Sequence, residues 1–153
     1  MSLTPRQITL IQNNFKKVEP IADTAAEIFY TKLFKIDPSL RRLFKKDMKK
    51  QGQMLMSVLK AAVNGLNDLN KIVPVLHSLA ERHIDYGVKV EDYTAVGNAL
   101  LFTLKQGLGN EFTAEHRKAW IAVYNIVAET MRSHSYPNYD AKTFVNRKHY
   151  NKH

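Results

Sequence analysis

The chain has 153 residues, 44% of them hydrophobic, which is enough for one domain with a substantial core. It has no cysteine, which excludes disulfides, thiolate nucleophiles, zinc–thiolate sites and iron–sulfur ligation. No apolar run approaches the ~20 residues of a membrane span, and the N-terminus lacks the layout of a signal peptide. We therefore expect a cytoplasmic protein without a membrane span.

The net charge of +9 is concentrated in two segments. Residues 41–50, the basic corner, carry six bases and one acid, residues 132–153 carry five and one, and the remaining residues balance at twelve each. Such segments can bind phosphates, but the basic corner has one aromatic residue, Phe44, and no RNA-binding signature. We expect no nucleic-acid partner, because most charge runs are solvated faces.

The first third of the sequence predicts three helices. Thr4, Pro5 and Gln7 are typical of a helix start, as N-cap, first helical residue and closing residue of a capping box. Pro20 ends this helix and opens a second one. The second helix runs to the Asp37–Pro38 pair, which caps a short third helix.

Helical periodicity continues after the basic corner. A helix of roughly five turns is predicted from one apolar stripe, made of Leu55, Val58, Leu59, Ala62, Val63 and Leu66. The next helix runs from Ile72 to about Tyr86, with Gly87 as its C-terminal cap. A long apolar helix follows within residues 91–109, and Thr113 caps the last helix. The sequence therefore predicts an all-α fold without strands or a phosphate-binding loop.

The helix lengths argue against a simple four-helix bundle. About seven helices of unequal length are predicted, and residues 35–50 form a corner too long for a bundle turn. A carboxylate-bridged metal site in a bundle is also disfavoured, because the chain has no Glu-x-x-His pair. Helices crossing at steep angles around a central group fit the pattern better.

Two of the six histidines lie within a predicted helix, at positions 77 and 83. They are about 240 degrees apart around the helix, so they cannot share one metal ion from it. His83 lies on the same apolar stripe as Leu76 and Leu79. A histidine at this position is consistent with a hydrogen-bonded core residue or with the axial ligand of an iron porphyrin. The other four are predicted to lie at the surface: His116, His134, His149 and His153.

Two polar residues share faces with apolar ones on other helices. Gln51 falls one turn before Leu55, and Tyr30 lies on a face with Ala26 and Phe34. Opposite an imidazole, a phenol and an amide could donate hydrogen bonds to a polar ligand on a metal. Taken singly, Tyr30 fits an amphipathic core residue better, and Gln51 fits a surface residue better.

Four segments resemble those of globins in order and spacing, over residues 5–132. They read "FYTKLFKIDPSLRRLF", "KKQGQMLMSVLKAAV", "LAERHIDYGVKVEDYTAVGNALL" and "KAWIAVYNIVAETM". They are similar to the globin domain of bacterial flavohaemoglobins and its single-domain relatives, with some likeness to neuroglobin. The resemblance implies a three-over-three helical sandwich around haem b, with a globin domain at 1–133 and a basic aromatic tail at 134–153.

The resemblance also implies the roles of particular residues. His83 becomes the proximal iron ligand, and the haem contacts are Phe44, Leu55, Val88, Tyr93 and Val96. Tyr30 and Gln51 become the distal pair that stabilises the bound ligand, in place of the distal histidine of myoglobin and neuroglobin. A hydrogen bond to a charged group contributes roughly 1.5 to 3 kcal/mol, so we expect high oxygen affinity and slow release.

The implied function is reversible binding of O2, CO and NO, with oxidation of NO to nitrate by bound oxygen. Flavohaemoglobins continue into a reductase, whereas this sequence ends far short of one, so we expect an external flavin reductase as the electron source. A haem-based gas or redox sensor, with the tail as its output, and a simple oxygen carrier or store remain alternatives.

The proximal side departs from the flavohaemoglobin pattern. The resemblance aligns Tyr93 with a tyrosine that braces the proximal histidine, but the partner glutamate falls near Pro137, where no acid is present. Asp85 lies on the wrong side of the helix to replace it. This absence argues against efficient peroxidase or dioxygenase turnover.

The basic corner has several roles open to it. Four of its lysines lie between the predicted haem contact Phe44 and the predicted distal residue Gln51, namely Lys45, Lys46, Lys49 and Lys50. They could pair with haem propionates or attract an acidic reductase, and ordinary solvation is the alternative.

Overall fold

The computed structural model describes residues 3–45 and 47–148. These residues form six α-helices, three short 3-10 helices and no strand. The α-helices are α1 (Pro5–Val18), α2 (Ala22–Ile36), α3 (Met48–Asn64), α4 (Leu69–Tyr86), α5 (Asp92–Leu108) and α6 (Ala114–Ser135). The 3-10 helices are Glu19–Ile21, Pro38–Leu43 and Gly109–Glu111. None of the helices in the described ranges combines the length and apolar content needed to cross a membrane. The all-α prediction is confirmed.

The helix ends follow the local sequence signals. The Thr4 hydroxyl accepts from the main-chain N–H of Gln7, and the Gln7 side chain accepts from the Thr4 N–H, so the predicted capping box is present. Thr113 caps α6 in the same way. Asp37 accepts from the main-chain N–H of Ser39 at the start of the Pro38–Leu43 helix. Gly87 ends α4 with φ of 93°, a left-handed conformation that favours glycine.

Helix α4 begins at Leu69, three residues before the predicted start at Ile72. A start at Ile72 would put Pro74 in the first turn, where a missing N–H costs nothing, but Pro74 lies one turn inside the helix. Its absent N–H would have paired with the carbonyl of Asn70, one turn earlier. Asn70 is exposed, so water can satisfy that carbonyl and the extra turn is tolerated.

The helices pack as two layers of three. Helix α2 packs on α3 and α5, and α6 packs on α1 and α4, so that α1, α3 and α4 cover α2, α5 and α6. Gly52 marks the crossing of α2 and α3, because a Cβ at that position would lie 2.8 Å from the Cβ of Ala26. The close approach brings the helix that carries Tyr30 against the helix that carries Gln51.

The buried side chains form two clusters among the described residues. The larger joins α1, α2, α3 and α5 to the first half of α6. The smaller joins α4 to Tyr93 and the second half of α6. Leu69 and Tyr124 are partly buried against both clusters. The core is thus divided between the part that holds α3 and the part that holds α4.

Candidate haem site

Tyr30 projects from α2 into a group of aromatic side chains. Its ring packs edge-on against Phe29 and Phe44, with centroids 5.0 and 5.2 Å away, and stacks on Phe34 at 6.0 Å. Its hydroxyl donates a hydrogen bond of 3.3 Å to the main-chain carbonyl of Gln51. Burial raises the pKa of Tyr30 from 10.0 to about 12, so the phenol stays protonated and able to donate at physiological pH.

Gln51 and Leu55 lie one turn apart on α3, and both are half-buried. The side-chain amide of Gln51 makes no hydrogen bond within the described part of the chain, so it can still donate to a ligand. Leu55 borders an apolar cavity of about 20 Å³ between α1, α2, α3, α5 and α6. A cavity of this size holds about one molecule the size of water.

Phe44 follows the Pro38–Leu43 helix and is half-buried. Its ring packs against Tyr30, and also against Phe34 with centroids 5.5 Å apart. The basic residues on either side of it are exposed and form no ion pair within the described residues: Arg41, Arg42, Lys45, Lys49 and Lys50. The guanidinium of Arg41 lies 5.2 Å from the centre of the Phe34 ring. Lys46 lies outside the described residues.

His83 lies in the last turn of α4, with its Nδ1 buried and without a hydrogen-bond partner among the described residues. Burial lowers the pKa of His83. The nearby main-chain carbonyl of Leu79 raises the pKa of His83, and the positive charge of Arg82 lowers it. The Leu79 carbonyl lies outside hydrogen-bond geometry to Nδ1. The net shift is downward, so the imidazole is neutral at physiological pH. A neutral imidazole has the lone pair that a metal requires.

Tyr93, in the first turn of α5, is the buried neighbour of His83. The two rings lie 6.2 Å apart with an angle of 23° between their planes. The Tyr93 hydroxyl is buried and has no hydrogen-bond partner in the described ranges. Burial raises the pKa of Tyr93, so this group is also neutral. The contact between the two residues is made by the rings and not by a hydrogen bond.

The turn after α4 is held by residues that the sequence did not single out as functional. Arg132 donates to the carbonyl of Val90 at 2.9 Å, and its guanidinium lies 5.5 Å from the centre of the Tyr93 ring. Tyr136 donates to the carbonyl of Val88 at 2.5 Å. In sequence, Arg132 belongs to a basic segment and Tyr136 to the aromatic tail, whose aromatic residues indicate some packing without a stated partner. No local spacing relates them to the turn, so only the tertiary structure reveals the contact.

The predicted site residues fall into two groups. Tyr30, Phe44, Leu55 and Val96 belong to the larger cluster, with Gln51 beside them, whereas Val88 and Tyr93 belong to the smaller cluster with His83 beside them. Among the described residues, no hydrogen bond or ring contact joins His83 to Tyr30 or Gln51.

The residues present fit the haem that the resemblance implies. Five of the predicted haem contacts are only half-buried, as expected of side chains that a flat apolar group would cover: Phe44, Leu55, His83, Val88 and Val96. The Nε2 of the half-buried His83 makes no hydrogen bond among the described residues, so it can supply the nitrogen that holds the iron on the proximal side. The phenol of Tyr30 supplies a donor in the other group, so the donor set also suits a ligand on the iron.

The contact between His77 and His134 was not predicted from the sequence. The rings of His77 and His134 stack with centroids 4.0 Å apart and planes 6° apart, and Glu81 lies 3.5 Å from Nε2 of His134. Within the described ranges, no group of three or more His, Cys, Asp or Glu side chains is arranged to hold a metal ion. We describe this pair as a packing contact between α4 and α6.

The globin family model matches residues 27–131 of the chain. A flavohemoprotein of Bordetella parapertussis is 28% identical over 132 residues, covering 84% of this chain and 33% of that protein. A neuroglobin of Tetraodon nigroviridis is 33% identical over 118 residues, covering 68% of this chain and 74% of that protein. The chain thus spans about one third of the length of the flavohemoproteins that it matches.

Among solved structures, an engineered carbene transferase from Rhodothermus marinus superposes with a TM-score of 0.79. The identity is 20%, and the match covers 88% of this chain and 94% of that one. The Rhodothermus marinus protein is described as a candidate nitric oxide dioxygenase. At this identity the likeness shows the fold, and it confirms the predicted three-over-three sandwich.

Proposed function

This chain belongs to the globin family, whose members bind gases at a haem, and we propose that it holds haem b through His83 and oxidises nitric oxide to nitrate. The reaction joins one NO and one O2 to give nitrate and requires one electron, which an external flavin reductase would supply. The observation that carries the proposal is the placement of the His83 imidazole beside Tyr93 in one group of residues and of the Tyr30 hydroxyl, with its long hydrogen bond, in the other.

Haem, when bound, supplies the iron that binds O2, CO or NO and the electron exchange that the reaction requires. His83 would ligate the iron through the ring nitrogen that is not Nδ1. Tyr93 keeps the imidazole in place through ring contact. The half-buried side chains Phe44, Val88 and Val96 would exclude water from the faces and edge of the macrocycle.

Tyr30 is the residue that would retain the gaseous ligand. Its hydrogen bond to the Gln51 carbonyl is long, at 3.3 Å, and therefore easily exchanged for a shorter bond to a polar ligand. The raised pKa keeps the proton on the hydroxyl. The free amide of Gln51 would add a second donor. Two donors slow the release of oxygen, which suits oxidation of NO better than oxygen delivery.

The proximal side supports slow rather than rapid turnover. An acceptor on Nδ1 makes a ligating imidazole more basic, and in the described residues Nδ1 of His83 has none. This agrees with the absence of an acid near Pro137. We therefore expect NO oxidation to proceed on stored oxygen, at a rate limited by the reductase.

Absorption spectra in the oxidised, reduced and CO-bound states test the haem site. His83→Ala should abolish iron ligation, whereas the matched control His77→Ala, on the same helix, should keep the wild-type spectra. A wild-type protein that refuses added haem, or a His83→Ala protein with unchanged spectra, would contradict the proposal.

Repeated NO addition tests the activity. With a flavin reductase and its nicotinamide, we expect many nitrate ions for each haem. A single nitrate per haem under the same conditions would refute the enzyme and favour a gas sensor or an oxygen store.

A further inference from the structure

The turn after the proximal helix, residues 87–91, is held by the C-terminal part of the chain. Besides the bonds from Arg132 and Tyr136, the side-chain amide of Asn146 donates to the carbonyl of Glu91 at 3.1 Å. The carbonyls of residues 88, 90 and 91 thus each accept a bond from residues 132–146. This turn, which we call the proximal turn, therefore depends on chain that lies far from it in sequence.

Lys148 closes the arrangement with two ion pairs. Its ammonium donates to Asp92 at 2.6 Å, at the end of the proximal turn, and to Asp37 at 2.8 Å. The exposed fractions of the side chains are 4% for Asp92, 10% for Asp37 and 28% for Lys148. Burial alone lowers the pKa of Lys148, but the two carboxylates outweigh it and raise the pKa, so the amine stays charged.

The two carboxylates belong to opposite sides of the proposed pocket. Asp37 begins the Pro38–Leu43 helix, and Phe44 ends it. The Asp92 carboxylate accepts a hydrogen bond of 2.9 Å from the main-chain N–H of Lys89 and so fixes the turn that follows His83. The two sides also meet directly, because a Cβ at Gly87 would lie 3.3 Å from Cδ2 of Leu43.

We propose that residues 136–148 form a strap that ties the proximal turn to the Pro38–Leu43 helix, and that the ion pairs of Lys148 set how slowly the pocket releases haem. The role of Lys148 rests on the proposed haem site. Lys148 is a positioning residue, because it acts through Asp37 and Asp92 and contacts no predicted haem ligand.

The burial of the carboxylates explains why one lysine can have this effect. Removing one partner of a buried ion pair leaves the other charge desolvated without compensation. In Lys148→Met, the buried Asp92 would lose its cation and turn towards water, and the link from Asp92 through Lys148 to Asp37 would be gone. The two sides of the pocket would then separate.

Haem transfer to an excess of apomyoglobin measures the release rate. We expect Lys148→Met to release haem about tenfold faster than wild type, the factor produced by ~1.4 kcal/mol. Lys148→Arg, which keeps the charge, should recover most of the retention. The matched control is Lys142→Met, because Lys142 is exposed and its side chain forms no ion pair in the described ranges. Equal release rates for Lys148→Met and wild type would overturn the strap.

Hydrogen exchange of the haem-free protein provides a second readout. In Lys148→Met, peptides containing the amides of Lys89 and Ser39 should exchange faster, since these amides donate to Asp92 and Asp37. Peptides from α1 should exchange at the wild-type rate. Uniformly faster exchange would mean general destabilisation and would count against the strap. A wild-type protein that takes up no haem would refute the haem site, and the exchange pattern would still decide the strap.

Discussion

The rings of His83 and Tyr93 stack 6.2 Å apart, yet the buried Nδ1 of one and the buried hydroxyl of the other have no hydrogen-bond partner among the described residues. The pair therefore fixes the orientation of the imidazole by shape. These two polar atoms lower the free energy of unfolding, because each loses its hydrogen bond to water on burial.

Tyr93→Phe should stabilise the haem-free protein. The substitution keeps the ring that contacts His83 and removes a buried hydroxyl without a partner, so we expect the free energy of unfolding to rise by about 1 kcal/mol. The matched variant is Tyr136→Phe, which removes a hydroxyl bonded to the Val88 carbonyl and should lower that free energy by about the same amount. Guanidinium unfolding measures both. A Tyr93→Phe protein less stable than wild type would reveal a partner for the hydroxyl.

Tyr30→Phe should weaken oxygen retention in the haem-loaded protein. The ring and its contacts with Phe29, Phe34 and Phe44 remain, while the donor to the ligand is lost. We expect oxygen to dissociate about tenfold faster, as measured by stopped-flow displacement with CO. Tyr139→Phe is the control, because Tyr139 packs against Phe144 in the C-terminal segment. An unchanged oxygen dissociation rate in Tyr30→Phe would exclude the distal role.

The titration of Tyr30 should show its burial directly. The folded pKa is about 12, against 10.0 for the ordinary side chain. The unfolded chain therefore loses this proton first as the pH rises, so the stability contributed by the protonated phenol is complete below pH 10 and is lost by about pH 12. In haem-free protein, the phenolate absorbance of wild type minus that of Tyr30→Phe should rise with a midpoint near 12. A midpoint near 10 would mean that the hydroxyl is open to water.

Gly52→Ala should push apart the helices that carry Tyr30 and Gln51. The new Cβ would lie 2.8 Å from the Cβ of Ala26, and neither atom belongs to a flexible side chain. The helix propensity of alanine offsets about 1 kcal/mol of the strain, and overpacking costs about 1–3 kcal/mol, so we expect a net loss of stability. Ala26→Gly in the same chain should relieve the contact. Thermal unfolding of the two single variants and the double variant checks this, and additive effects would argue against a direct clash.

The sequence predicted the parts of the fold that depend on neighbouring residues. The capping box at Thr4 and the glycine at 87 work over one helical turn, so their patterns are visible in the chain. The ion pairs of Lys148 join residues 56 and 111 positions apart, and a lysine in a basic tail carries no sign of them. Tyr30 and Gln51 lie on different helices and could be predicted as neighbours only because the family resemblance pairs them, and the use of the Gln51 main-chain carbonyl could not be predicted at all.

The exposed lysines of the basic corner provide a test of the external reductase. Lys45 and Lys49 lie near Phe44 and Gln51, and neither pairs with an acid in the described part of the chain. An acidic flavin reductase would be steered to this side of the pocket by its charge, and salt would weaken the attraction. The double variant Lys45→Glu, Lys49→Glu should slow haem reduction by such a reductase about tenfold at low ionic strength, and raising the salt should reduce the difference.

The control is Lys118→Glu, an exposed position on α6 that also lacks an ion pair among the described residues. It should reduce at nearly the wild-type rate. Reduction by dithionite should be equal in all three proteins, because a small reagent needs no docking surface. Lys118→Glu changes the net charge half as much as the double variant, so if it slowed the reductase about threefold, the effect would come from net charge, and the basic corner would not be the docking surface.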